Sequence, residues 1–136
     1  MKKLLLSWVA VFVAISALDY VIHGVILSSA YEQLKEVFRP DMADKMWIYS
    51  LVAAITSFFF VLIYSKGYEG KGIMEGVRYG LYAGAMLSTG MAYGSYASYA
   101  IPYSLAMQWF LFGMVEYVAA GVIVALIHGK KEGAAA

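Results

Sequence analysis

Three ionisable residues stand where only hydrocarbon would be expected. Asp19 and His23 lie four residues apart in "LDYVIHG", inside an apolar run from Leu4 to Ala30, and Glu116 interrupts a second such run near the C terminus. Four residues make about one helical turn, so Asp19 and His23 share a face. A charged side chain at the centre of a bilayer costs roughly 2.5 kcal/mol or more, so such residues face the protein interior and find partners. Two carboxyls and an imidazole have distinct chemistries open to them. A His–Asp hydrogen bond beside a Glu can relay protons, because imidazole titrates near neutrality. The same groups could hold a divalent cation through carboxylate oxygens and one ring nitrogen. In a third reading they form a satisfied polar cluster that pins the first apolar segment to the last.

The rest of the composition narrows the class. Of 136 residues, 62% are hydrophobic and 14% charged, with mean hydropathy +0.71. A soluble domain is about a quarter charged. This chain lacks the polar surface to coat a water-soluble particle and reads as one integral membrane domain, 1–136. Cys is absent, which excludes disulfides, thiolate metal sites, covalent haem attachment and cysteine nucleophiles. A net charge of +1 points away from nucleic acid. The two histidines, His23 and His128, fall roughly 25 Å apart in depth, too far to clamp one haem. No hydrolase elbow, zinc-protease helix pair or nucleotide loop is present, so neither an enzyme nor a cofactor is expected.

Four apolar spans must position these residues: about 4–30, 46–64, 74–96 and 103–128. The first would form a helix roughly 40 Å long, more than the ~30 Å hydrocarbon core requires. Pro40 ends any helix continuing from it, and Pro102 suits the first turn of the last. Between the first two spans, Tyr31, Leu34 and Phe38 fall on one face of an amphipathic turn expected at the membrane surface. Lys2, Lys3, Lys66, Lys71, Arg78, Lys130 and Lys131 would lie on one side, against Lys35, Arg39 and Lys45 on the other. That asymmetry predicts cytoplasmic termini and an external 31–45 loop, as in a bacterial inner membrane. The start "MKKLLLSWVAVFVAISA" has the form of a signal peptide, but its apolar run continues past Ala17, which favours a retained span.

The third span carries Gly76, Gly80, Gly84 and Ser88 every four residues, followed by Gly90 and Gly94. Small residues at that spacing make a groove for close helix approach, within one bundle or between protomers. Twelve tyrosines form two expected aromatic belts, Tyr93, Tyr96, Tyr99 and Tyr103 at one end and Tyr64, Tyr68, Tyr79 and Tyr82 at the other. "DYVIHGVIL" from Asp19 parallels "EYVAAGVIV" from Glu116, in spans expected to run in opposite directions. An inverted pseudo-repeat would bring the two acids together.

The motifs "DYVIHGVILSSAY", "RP" and "IPYSLAMQWFLFGMVEYVAAGVIVALI" resemble a group of small uncharacterised four-span bacterial membrane proteins, over most of the chain. The resemblance implies the topology and no substrate, catalytic residue or cofactor. The expectation is an all-α, transmembrane four-helix bundle that serves as a non-enzymatic accessory or structural subunit. Its expected partners are the lipid bilayer and further copies or a larger membrane complex. The alternative is a small proton- or ion-coupled transporter using Asp19, His23 and Glu116.

Overall fold

A computed structural model describes residues 1–129, so Lys130 and Lys131, two of the basic residues counted for topology, lie outside the described residues. The described residues form helices and no strands: α1 (Lys2–Asp19), α2 (Ser28–Gln33), α3 (Met46–Gly67), α4 (Ile73–Ser98) and α5 (Tyr103–His128). Three helical stretches are long and apolar enough to cross a membrane, Lys2–Ile26, Ala43–Gly67 and Tyr103–His128. No more than 33% of the apolar window of any of them is buried within the chain. Surface this apolar belongs in lipid, and the protein is an integral membrane protein.

The fourth expected span differs from the other three. α4 is 26 residues long, but Glu75 and Arg78 lie in its first two turns and glycines dilute its apolar content. Its sequence serves helix contact. Gly76, Gly80, Gly84, Ser88 and Ala92 are its buried stripe, and it packs against α5 along their length. At Gly76 an added Cβ would overlap the carbonyl oxygen of Gly121, and the reverse holds at Gly121. The two backbones therefore touch with no side chain between them. Gly90 and Gly94 depart from the expected ridge: both are exposed, with nothing within 4 Å of an added Cβ. The reason is rotation. At about 100° per residue, Gly90 lies some 200° around the helix from Ser88 and Gly94 about 240°.

α1 packs against α3 and α5. Val11 and Ile15 of α1, Phe60, Val61 and Tyr64 of α3, and Ala120, Val124 and Ala125 of α5 form the main core. Tyr79 of α4 bridges to α3 by donating from its hydroxyl to the Phe60 carbonyl at 2.7 Å. Tyr64, Tyr68 and Tyr79 thus do not form the expected headgroup belt. Tyr64 is 3% exposed, and its ring meets those of Tyr68, Tyr79 and His128. Rings at this end fill the gap between α3 and α4. Only Tyr82 of that group projects outward, 73% exposed. At the opposite end Tyr103 meets Tyr93 and Tyr96.

The first span is not one straight helix. After Asp19 the chain widens into a π-helix, Tyr20–Ile26, marked by the Leu27 N–H reaching back five residues to Ile22 O at 2.8 Å. Leu27 then leaves helical geometry at φ −95°, ψ 2°, and α2 begins at Ser28. Tyr31, Leu34, Val37 and Phe38 fold back over Ile22, Leu27, Ile101, Leu105 and Ala106. They cap the bundle at this loop end instead of lying apart on the membrane surface. At the other end, Gly72 enters α4 with φ 83°, a conformation costly for any residue with a Cβ.

Candidate functional site

The interruption of α1 creates the site. In an unbroken α-helix, His23 and Tyr31 would be separated by roughly 12 Å of rise. The π-helix and the bend at Leu27 carry Tyr31 back, so that its hydroxyl hydrogen-bonds His23 Nδ1 and the two rings stack with centroids 5.9 Å apart. Trp109 of α5 donates from Nε1 to the same hydroxyl at 2.8 Å. Three helical elements therefore meet at one phenol oxygen. π-helical turns recur at functional sites because the extra residue re-aims a side chain that an α-helix would hold elsewhere.

On the other side of the imidazole, His23 Nε2 lies 3.8 Å from Asp19 Oδ1. That is beyond hydrogen-bond length, so the expected His–Asp bond is replaced by a looser electrostatic contact. Asp19 in turn interacts directly with Glu116 across the α1–α5 contact. Glu116 is 9% exposed, and its Oε1 has no hydrogen-bond partner. The order is Trp109, Tyr31, His23, Asp19, Glu116, running from the loop end toward the middle of α5.

Asp19, His23 and Glu116 are thus consecutive members of a row and do not converge on a point. No group of three His, Cys, Asp or Glu side chains among the described residues could hold a metal ion. The donor set does not fit the cation site that the residue types allowed. One ring nitrogen of His23 is already committed to Tyr31, and only two carboxylates lie beyond it. The pseudo-repeat also breaks just past the acids. Tyr117 onward continues as α-helix where Tyr20 onward is π-helix, and Gly121 meets α4 while the nearest neighbour of Gly24 is its own Tyr20 ring, 3.5 Å from an added Cβ.

Tyr31 and Trp109 are the members that sequence reasoning missed. A signal for Trp109 was available, since it precedes Glu116 by seven residues and so shares its face. None existed for Tyr31, whose place depends on the π-helix. His128, the other histidine, belongs to a separate group. Its Nδ1 donates to Val124 O at 2.9 Å, and its carbonyl accepts from Lys3 Nζ at 3.0 Å and from Tyr68 Oη at 3.2 Å. Those bonds tie the ends of α1, α3 and α5 together.

Comparison with protein-family models, with curated proteins and with solved structures gives no match. The function is therefore read from the geometry. A row of alternating donors and acceptors that ends on an acid pair, with Glu116 buried and Asp19 partly exposed, can bind, share or pass a proton.

Proposed function

We propose that the protein is a non-enzymatic subunit of a membrane assembly, formed with further copies of itself or within a larger complex. The observation that carries this reading is the exposure of the polar row. The side chains of Asp19 and His23 are 44% and 35% exposed, within or beside a stretch apolar enough to span a membrane. Acyl chains against a charged group at that depth cost several kcal/mol, so another protein surface covers it. In this reading α4 crosses the bilayer alongside α5, giving a four-helix bundle with both termini in the cytoplasm of a bacterial cell. The backbone contact at Gly76 and Gly121 supports a hairpin that inserts as a unit.

The chain has no cysteine, so single cysteines report neighbours without background. Ser16→Cys and Tyr20→Cys, flanking Asp19, should cross-link to a neighbour in native membranes, whereas Val52→Cys on the exposed side of α3 should not. Self-adducts identify a homo-oligomer and adducts to one other protein a complex. Equal labelling of all three positions by a lipid-phase probe, with no cross-link, would sink the reading. A second reading, a small proton-coupled transporter, is favoured by the continuity from Tyr31 to Glu116. Proton flux into vesicles containing the protein is its test.

A further inference from the structure

We infer that Asp19 and Glu116 form a one-proton site that is loaded only from the loop end of the bundle, through Tyr31 and His23. The inference deepens the second reading, taking from it only that the row handles protons. It requires side chains of a single protomer.

The hydrogen bonds set a direction. Trp109 Nε1 can only donate, so it occupies a lone pair of the Tyr31 oxygen. The phenol proton is thereby left for His23 Nδ1, the other partner of that oxygen. Nδ1 is then an acceptor, and the neutral ring carries its hydrogen on Nε2, the nitrogen facing Asp19 Oδ1. Loading follows from this tautomer. Tyr31 passes its hydroxyl proton to Nδ1 while its oxygen takes a proton from water at the loop end. The cationic ring gives its Nε2 proton to Asp19, which shares it with Glu116. One proton has entered, Tyr31 is again a phenol and His23 is again neutral. The ring is left as its Nδ1–H tautomer, and unloading by the same steps in reverse, Asp19 returning a proton to Nε2 while Nδ1–H passes back through the Tyr31 oxygen to water, restores the starting one. The 3.8 Å gap closes to hydrogen-bond length if the Asp19 carboxylate swings by about 1 Å.

Glu116 supplies the second, independent observation. Its Oε1 is buried and unpaired, a costly arrangement for a carboxylate and a far cheaper one for a carboxyl that can donate. Among the described residues, the titratable groups around the pair are His23 on the π-helix, Tyr117 beside it on α5, and Tyr31, which is itself faced by Tyr49 of α3. α4 turns Gly76, Gly80, Gly84, Ser88 and Ala92 inward, and its nearby tyrosines are directed elsewhere, Tyr79 donating to the Phe60 carbonyl and Tyr82 73% exposed.

Toward the other end the row stops. From Glu116 to His128 the buried positions of α5 are Ala120, Gly121, Val124 and Ala125, opposite Ile15 and Val11 of α1. The tyrosines that share this core do not bridge it, since Tyr79 donates to the Phe60 carbonyl and Tyr64 Oη has no hydrogen-bond partner, so roughly 18 Å of helix holds no continuous hydrogen-bonded path. The pair is therefore a one-sided store.

The test is infrared difference spectroscopy of the full-length protein in oriented vesicles, following the carbonyl band of protonated carboxyl groups after a pH jump on one side. The band should rise after a jump on the loop side, vanish in Glu116→Gln, and rise roughly a hundredfold more slowly in Tyr31→Phe with the same final amplitude. Trp109→Phe, which leaves Tyr31 free to rotate, should slow it as well. Persistence of the band in Glu116→Gln, an unchanged rate in Tyr31→Phe, or equal loading from both sides would overturn the proposal. Loading without net proton flux upholds it and removes the transporter reading alone.

Discussion

Substituting alanine along α4 should give a graded series fixed by what each new methyl meets. At Gly80 an added Cβ would overlap the Tyr117 carbonyl oxygen and lie 2.7 Å from Val118 Cα and 3.0 Å from the Tyr117 carbonyl carbon. Ordinary carbon contacts begin near 3.5 Å, so the helices must part locally by somewhat under 1 Å. A gap of that size forfeits a quarter to a half of the attraction of each contact along the seam. Overpacking of this kind costs about 1–3 kcal/mol, offset by the 0.5–1 kcal/mol that alanine gains over glycine in a helix. Gly80→Ala should therefore lose about 1–2 kcal/mol. Gly76→Ala and Gly121→Ala should lose more, because the facing backbone carbonyl oxygen stands still closer to the new methyl there than at Gly80. Gly84→Ala meets Met114 Sδ, a flexible neighbour, and Tyr117 Cβ, both at 3.2 Å, a tight contact without overlap, and should lose less than Gly80→Ala. Gly90→Ala and Gly94→Ala meet nothing and should be neutral or slightly stabilising. Reversible unfolding in mixed micelles titrated with a denaturing detergent, followed by circular dichroism, measures the series. If Gly90→Ala falls as far as Gly80→Ala, or Gly121→Ala matches the parent, the α4–α5 seam is not where the geometry puts it.

Tyr31→Phe leaves the Trp109 N–H without its acceptor and should cost about 1–3 kcal/mol, with a shift in tryptophan emission as the indole environment changes. Glu116→Gln should keep the helix content and unfolding midpoint close to the parent, whereas Glu116→Lys should be clearly less stable because it forces a longer, charged side chain into a position only 9% exposed; circular dichroism and size-exclusion profiles separate the two. In the loop, hydrogen bonds from Arg39 and then Lys45 hold the Asp41 carboxyl below its ordinary range. A carboxyl lowered in the folded state adds stability that is present above its unfolded pKa and lost as pH falls through the folded one. The Arg39–Asp41–Lys45 contacts should thus loosen only in acid, a transition that Asp41→Asn abolishes in hydrogen exchange of the loop. Reporter fusions after Ala136 and within 31–45 should report opposite sides of the membrane, and the same side for both would overturn the proposed topology.

The sequence carried the helices better than the site. α5 begins after Pro102 and ends at His128, where a missing backbone donor and the end of an apolar run placed it. The Gly76–Gly84 stripe was legible because spacing by four residues is a property of the α-helix itself. Its extension to Gly90 and Gly94 was not, since counting small residues ignores the angle at which each one projects. The acid pair could be inferred from depth alone. His23 and Tyr31 could not be joined that way, because their meeting depends on a π-helix and a bend at Leu27. Those features arise from how the 27–38 segment packs over the bundle end. A periodicity read along one segment carries no information about what that segment will later fold against.

The π-helix also changes how the chain would respond to losing a residue. Along α1 or α5 a single deletion rotates everything beyond it by about 100° and turns core positions toward lipid. Between Tyr20 and Ile26 the chain already holds one residue more than an α-helical turn needs. Removing Val25 would let the backbone relax to ordinary α-helix while leaving the spacing of Asp19 and His23 intact. The segments on either side could keep their places in the bundle. This short stretch is thus a length buffer, the place in the first span where the chain can shorten by one without losing count.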